Sequence, residues 1–353
     1  MATSTTSSDH PPASDAKQPP TGWRKLSTGA DAAHEHRLAI SLLARLARYW
    51  LALFLIIEVM VFSTMRPDTF MTVANLQTIL LQQVEPLLAS LALTLPLIVG
   101  EFDLSVGAVT TAAAVTAAGL MGHHVPTPVA LILTIAAGSV VGLVGALLVA
   151  RFEVTSLIGS LGVATVVTGF MDRYTNGLAV NKDISPWLTG LATKKVLGIP
   201  TLAILAGILC VVVWFVLQQT VYGRQLAATG ANRRAAKLLG LQSRLLIAST
   251  FVLSATLASL AGLIQLSIDS GANPTSGGFP LVITALTAVF LGATCFRPGH
   301  FNVGGTIVGI LFLAAGVSGL SLVGLQAWVQ NVFTGISLVL ALAIAAAFRR
   351  AVG

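Results

Sequence analysis

The stretch TPVALILTIAAGSVVGLVGALLVA, residues 127–150, decides the fold class because it contains no charged side chain over its whole length. A helix needs about 20 apolar residues to cross the roughly 30 Å hydrocarbon core of a bilayer. The apolar residues of this stretch are continuous and do not alternate with polar ones, which favours a helix over a barrel strand. The stretch therefore predicts a transmembrane α-helix.

Similar apolar stretches lie on both sides of this one. Across the chain 55% of residues are hydrophobic and only 9% are charged, against about 25% charged residues in a typical soluble domain. This composition predicts an all-α, polytopic membrane protein with about ten transmembrane helices. The predicted spans are residues 46–65, 75–99, 105–121, 127–150, 154–170, 201–220, 245–266, 281–295, 303–320 and 326–347.

The first 44 residues differ in character from the rest. Ser, Thr, Pro and charged residues dominate residues 1–44, and no apolar core of a secretory signal peptide interrupts them. We expect a disordered cytoplasmic tail there, followed by one transmembrane domain over residues 45–350.

The positive charges predict the orientation. With a cytoplasmic N-terminus, fifteen of the 20 Lys and Arg residues fall inside, and four of the remaining five lie in the long external loop 171–200. The positive-inside rule then favours both termini in the cytoplasm and an even number of spans.

One candidate functional segment is GEFDLSVG, residues 100–107, which places two carboxylates between apolar spans. Asp103 and Ser105 are candidate N-caps for the helix that follows. The segment is either a capped cytoplasmic turn or a break in a helix that lines a solute path, and Glu101 lies near such a path. Glu85 lies within an apolar span, directly before the helix-kinking Pro86.

A second candidate is GANRRAAKLLG, residues 230–240, within a predicted inside loop. Asn232 can cap a short helix and Gly240 can end it. Arg233, Arg234 and Lys237 give that helix a basic face. The segment is either a docking surface for another protein or a basic loop that only sets topology.

Together these segments resemble the permease subunits of bacterial monosaccharide ABC importers of the ribose type. That family carries similar sequences at residues 100–107 and 230–240, YTNG at 174–177, and segments like ANPTSG at 272–277 and GTIVG at 305–309. The resemblance runs in order from about residue 70 to 347. Glu101 and the loop 295–302 depart from the ribose type, and this leaves the sugar open.

The resemblance implies a type II ABC-importer-like permease that imports a monosaccharide or related polyol across the bacterial cytoplasmic (inner) membrane. It implies three partners: a cytoplasmic ATP-binding subunit, an extracytoplasmic solute-binding protein and a second permease copy, identical or homologous. ATP and Mg would bind the partner subunit, since this chain has no phosphate-loop motif. We expect no catalytic residue, metal site, cofactor or nucleic-acid partner in this chain.

The candidate site residues form two groups. The translocation path or gate is predicted to include Glu85, Glu101, Asp103, Ser105 and Asn176. The helix that couples to the ATPase is predicted to include Gly230, Asn232, Arg233, Arg234, Ala235, Ala236, Lys237, Leu238 and Gly240.

Two other functions remain open. A related ABC permease for branched-chain amino acids has a similar architecture, although a charged substrate would need a counter-charge on its path. An ion-coupled secondary transporter would need buried ionisable groups for its coupling ions, for which Glu85, Glu101 and Asp103 are the candidates.

Overall fold

A computed structural model describes residues 49–275 and 278–352, and the side chains among them up to residue 344. The predicted tail, residues 1–44, lies outside the described residues.

Helices make up nearly all of the described chain. They are α1 (Tyr49–Met65), α2 (Val73–Gln82), α3 (Val84–Ile98), α4 (Val106–Gly122), α5 (Thr127–Ala146), α6 (Ser156–Thr175), α7 (Pro186–Thr193), α8 (Thr201–Gln219), α9 (Val221–Ala231), α10 (Arg233–Leu238), α11 (Ser243–Asp269), α12 (Gly278–Gly292), α13 (Val303–Val323) and α14 (Ala327–Val352). A π-helical turn, Leu147–Arg151, extends α5. Two short strands, β1 (Lys195–Val196) and β2 (Ile199–Pro200), pair as an antiparallel hairpin between α7 and α8.

Six helical segments among the described residues are long and apolar enough to cross a membrane: Val73–Ile98, Thr127–Arg151, Thr201–Gln219, Ser243–Asp269, Val303–Val323 and Ala327–Ile344. Three shorter apolar helices, α1, α4 and α12, correspond to further predicted spans. The predicted span 154–170 corresponds to α6, which is in neither group. The chain is therefore confirmed as a helical multi-pass protein, while the count of about ten spans and the topology remain predictions.

The second predicted span, 75–99, is divided between α2 and α3 at Gln83. Pro86 explains the position of this division, because it has no N–H to donate to the carbonyl of Gln82 one turn earlier. The interruption predicted at Pro86 thus lies at Gln83, about one helical turn closer to the N-terminus than the proline itself.

Helix α11 is the centre of the bundle and packs against α3, α4 and α5. Its contact faces carry small residues, and Ala255, Ala258 and Ala261 are almost fully buried. Small side chains let helix backbones approach closely where lipid offers no hydrophobic driving force for association. This close packing fixes the positions of α3 and α4, which carry the candidate path residues.

The bundle has two ends that the sequence distinguishes. Helix α8 has 19 residues, so it separates its flanking segments by about 28 Å. Helix α7 and the β1–β2 hairpin precede α8, whereas α9 and α10 follow it. We call the end that carries Arg233 and Arg244 the arginine-rich end, which is the predicted cytoplasmic side, and the other the hairpin end.

Candidate functional site

Residues 100–105 form a non-helical segment inside the bundle, between α3 and α4. The N–H of Phe102 donates to the hydroxyl of Ser156 at 3.1 Å, and the N–H of Leu104 donates to the hydroxyl of Ser160 at 3.0 Å. Both serines lie in the first turns of α6. A buried backbone N–H needs such a partner, since leaving it unpaired costs free energy. Helix α6 therefore stabilises the break with two side-chain hydroxyls.

Asp103 is the buried carboxylate of this segment, with only 1% of its surface exposed. It accepts hydrogen bonds from the backbone N–H of Ser105 at 3.1 Å, from the Ser105 hydroxyl, and from the hydroxyl of Ser254 at 2.9 Å. The prediction that the Ser105 side chain accepts a backbone N–H of α4 is wrong. Its side chain makes no capping bond to the helix and donates to Asp103 instead, so Asp103 alone accepts a backbone N–H at this helix start.

The contacts of this segment with α11 show its level along that helix. Val99 packs with Ile247 and Phe251 near the start of α11, whereas Asp103 meets Ser254, close to the midpoint of this 27-residue helix. Helix α4 then continues alongside α11 toward the hairpin end, since the Thr110 carbonyl reaches Gly262. The chain therefore reverses direction at residues 100–105, a segment that we call the break, at the level of Ser254 in α11. The depth of this segment in a membrane stays a prediction.

The start of α4 meets the start of α12 at this depth. A Cβ atom added to Gly107 would lie 2.0 Å from the carbonyl oxygen of Gly278. The N–H of Gly278 donates to the hydroxyl of Thr111 at 3.3 Å. Two helix starts thus come together in the interior of the bundle, an arrangement that transporters use to bring free backbone groups to a solute path.

Glu101 connects this break to the arginine-rich end. Its carboxylate forms an ion pair with the guanidinium of Arg233, the first residue of α10. The Glu101 side chain is 13% exposed and that of Arg233 is 46% exposed. The predicted path residue and the predicted coupling helix are therefore in direct contact, which the sequence did not indicate.

Helix α10 has the local structure that its sequence predicts. The side-chain oxygen of Asn232 accepts from the N–H groups of Arg234 and Ala235, both at 3.0 Å. Gly240 has φ +81°, the left-handed conformation that ends helices. The predictions of a cap at Asn232 and a stop at Gly240 are confirmed.

The surface of α10 is uneven. Ala236 is buried against the bundle, whereas Ala235 is exposed. Leu238 and Leu239 are 90% and 79% exposed. Two large apolar side chains beside three cations make a surface that another protein could cover. Lys237 and Leu238 lie on this surface, and their role in coupling stays a prediction.

A cleft of about 470 Å³ opens beside α10. Its charged lining residues are Arg233, Arg234, Lys237, Arg244, Glu101 and Glu153. A second ion pair joins Arg244 to Glu153 at 2.7 Å, and the hydrogen bond and charge of Arg244 lower the pKa of Glu153. The cleft keeps an excess of positive charge, because Arg234 and Lys237 have no acidic partner among the described side chains.

Two predicted path residues lie away from this site. Glu85 is the second residue of α3, and its Oε1 is buried without a hydrogen-bond partner among the described residues. Asn176 ends α6 in a left-handed conformation with φ +52° and is exposed. Sequence reasoning also missed Ser156, Ser160 and Ser254. The spacing of the first two, four residues apart on one helix face, was the available signal.

Apolar helices packed around an interior break are the arrangement of membrane transport proteins, and we place the chain in this class. It belongs to the family described as the permease component of branched-chain amino acid transport systems, whose model matches residues 75–342. No solved structure matches the chain.

Curated relatives agree with this membership. The ribose import permease protein RbsC of Escherichia coli (strain K12) is 32% identical over 297 residues, which cover 82% of this chain and 91% of the relative. The galactofuranose transporter permease protein YtfT of the same strain is 30% identical, over 67% of this chain and 69% of the relative. The autoinducer 2 import system permease protein LsrC of Salmonella paratyphi B is 27% identical, over 81% and 82%. The resemblance to ribose-type permeases is confirmed, as is the prediction that the chain is a permease subunit and not itself an enzyme.

Proposed function

We propose that the chain is the membrane-spanning subunit of an ATP-driven ABC importer that carries a monosaccharide or related polyol across the bacterial cytoplasmic membrane. The observation that carries this proposal is the similarity to the ribose import permease, which extends over 82% of this chain and 91% of that protein. A second relative is named for galactofuranose, so two of these relatives are named for monosaccharides.

The broken segment is the centre of the proposed path. Asp103 and Ser105 shape it from within, because their polar atoms bond to each other and to Ser254. Glu101 stands between this segment and the arginine-rich end, where a gate would open to the cytoplasm. Glu85 and Asn176 are proposed to contribute farther toward the hairpin end.

The proposed partners fit the two ends of the bundle. The ATP-binding subunit, which would hold ATP and Mg, docks on α10 at the arginine-rich end. The solute-binding protein docks at the hairpin end, and a second permease copy completes the transporter. The capped helix α10, with exposed Ala235 between basic side chains, supports the first of these contacts.

Reconstitution tests this function. The chain would be placed in liposomes with a candidate ATPase and solute-binding protein from the same organism, and uptake of radiolabelled ribose, galactose and leucine would be measured with and without ATP. We expect ATP-dependent uptake of a sugar, unaffected by ionophores that collapse ion gradients. ATP-dependent leucine uptake would instead support the branched-chain amino acid function that the family description names. Uptake abolished by ionophores without any need for ATP would support a secondary transporter.

A further inference from the structure

The ion pair between Glu101 and Arg233 joins two parts of the chain that are 132 residues apart in sequence. Arg233 is the first residue of α10, the proposed contact of the ATPase. Glu101 lies two residues before Asp103, in the break that leads into α4. The pair therefore connects the surface helix directly to the interior segment.

Beside this ion pair, the backbones of α9 and α3 are in direct contact. A Cβ atom added to Gly230, at the end of α9, would lie 1.9 Å from the carbonyl oxygen of Ile98 and 3.2 Å from the Cα of Val99. The end of α9 therefore rests on the end of α3, and a shift of α9 and α10 presses on the residues that open the break. Glu101 and Arg233 add a side-chain connection to this contact.

Hydrogen bonds and apolar packing both attach the break to the rest of the bundle. The ring of Phe102 lies 6.5 Å from that of Phe290, and Phe102 and Leu104 pack against a buried apolar cluster. The backbone and carboxylate of the break bond to Ser156 and Ser160 of α6 and to Ser254 of α11. Hydroxyl groups rotate and exchange partners readily, so these bonds can re-form after a small displacement. The Glu101–Arg233 pair acts near the first residue of this segment, so it can shift the backbone there by a small displacement while Phe102 and Leu104 stay packed.

We propose that the Glu101–Arg233 pair transmits movement of α10 to the break and so opens or closes the solute path. This inference rests on the proposed function, in which α10 follows the ATPase. A tilt of α10 moves the guanidinium of Arg233, the Glu101 carboxylate follows it, and Asp103 changes its position against Ser254. Because Arg233 is about half exposed, solvent keeps the pair weak enough to break and re-form in every transport cycle.

A matched control exists in the same cleft. Glu153 and Arg244 form the second ion pair among the described side chains, with 69% and 59% of their side-chain surfaces exposed. This pair joins the connection between α5 and α6 to the start of α11. Glu153 makes no ion pair with α10 or the break among the described side chains, although the charges of Arg233 and Lys237 also act on it. Loss of this pair changes the charge of the cleft without cutting the proposed connection.

The test compares E101Q, R233Q, the exchanged pair E101R/R233E and the control E153Q in liposomes that contain the ATPase and the solute-binding protein. Three quantities are measured: co-purification of the ATPase, its ATP hydrolysis, and solute transported per ATP hydrolysed. We expect E101Q to retain the ATPase and its hydrolysis but to transport about three- to fivefold less solute per ATP, as loss of a partly exposed ion pair predicts. R233Q also alters the docking surface, so its transport per ATP is compared only among transporters that keep the ATPase, and there we expect the same fall. The exchanged pair restores the ratio, and E153Q leaves it unchanged.

Three results would overturn the inference. The first is an unchanged transport-to-ATP ratio in E101Q and R233Q. The second is an equal fall in E153Q, which would assign the effect to the charge of the cleft as a whole. The third is loss of ATPase co-purification in E101Q, which would make the pair a docking or folding element. Failure of the wild-type chain to co-purify with any ATPase would refute the proposed function itself, and the co-purification measurement distinguishes this result from the other three.

Discussion

Substitution of Asp103 by alanine measures how strongly the break between α3 and α4 depends on one carboxylate. The hydroxyls of Ser105 and Ser254 can turn toward helix carbonyls after the carboxylate is lost, but the N–H of Ser105 has no such freedom. A buried unpaired N–H costs about 1–3 kcal/mol. The space left by the carboxylate adds to this cost, so we expect a total loss of about 2–4 kcal/mol of unfolding free energy.

Substitution of Asp103 by asparagine removes the negative charge but keeps a side chain that can make the same hydrogen bonds. Its side-chain oxygen can accept both bonds from Ser105, and its amide group can donate to the hydroxyl of Ser254. We therefore expect the free energy of unfolding to fall by less than about 1.5 kcal/mol, and transport to fall less than in the alanine variant.

The measurement is unfolding of the purified chain in detergent by increasing amounts of SDS, followed by tryptophan fluorescence. Asp172, an exposed residue of α6, supplies the matched controls D172A and D172N, which we expect within about 0.5 kcal/mol of the wild type. The reasoning is refuted if asparagine at position 103 costs as much as alanine, because the negative charge would then matter more than the acceptor geometry. An alanine variant as stable as wild type would show that the network does not hold the break.

Three further predictions concern packing, coupling and topology. In the same SDS assay, Gly107→Ala should lower the free energy of unfolding by about 2–3 kcal/mol, because the added Cβ would meet the carbonyl of Gly278. The control Gly162→Ala, where nothing lies within 4 Å of the added Cβ, should raise the free energy of unfolding by up to about 1 kcal/mol. Equal effects of the two changes would contradict the close approach. Ala235→Trp should abolish co-purification of the ATPase, since the bulky ring blocks a partner's approach. Membrane insertion and the gel-filtration profile in detergent should stay normal. Undiminished co-purification with normal transport would show that this segment only anchors topology. Reporter fusions at Ala235 and Gly190 should lie on opposite sides of the membrane, and the same side for both would refute the predicted orientation.

The features that the sequence predicted well depend on neighbouring residues. The apolar run predicted at 201–220 matches α8, Thr201–Gln219, because length and hydropathy are properties of the run itself. The cap at Asn232 and the stop at Gly240 were predictable for the same reason, since both act on backbone groups within a few residues.

The features that the sequence did not predict depend on distant residues. Ser156 and Ser254 lie 54 and 151 residues from the groups they bond, and no local pattern encodes such partners. Residues 100–107 are therefore open to two interpretations from the sequence, and their contacts with α6 and α11 are visible only in the structure. The error at Ser105 has a different origin, because its hydroxyl donates to Asp103 only two residues earlier, a local alternative to capping.

The hydroxyl partners of the break also set an order for biogenesis of the chain. Asp103 finds its last partner, Ser254, only after 151 further residues have been added, which takes roughly 8–30 s at ribosomal rates of 5–20 residues per second. Before Ser160 is added, the segment 100–105 cannot enter lipid with the N–H groups of Phe102 and Leu104 unpaired. Before Ser254 is added, the carboxylate of Asp103 lacks its last donor. The growing chain must therefore keep α4 beside the translocon, or in contact with water, until α6 and then α11 arrive.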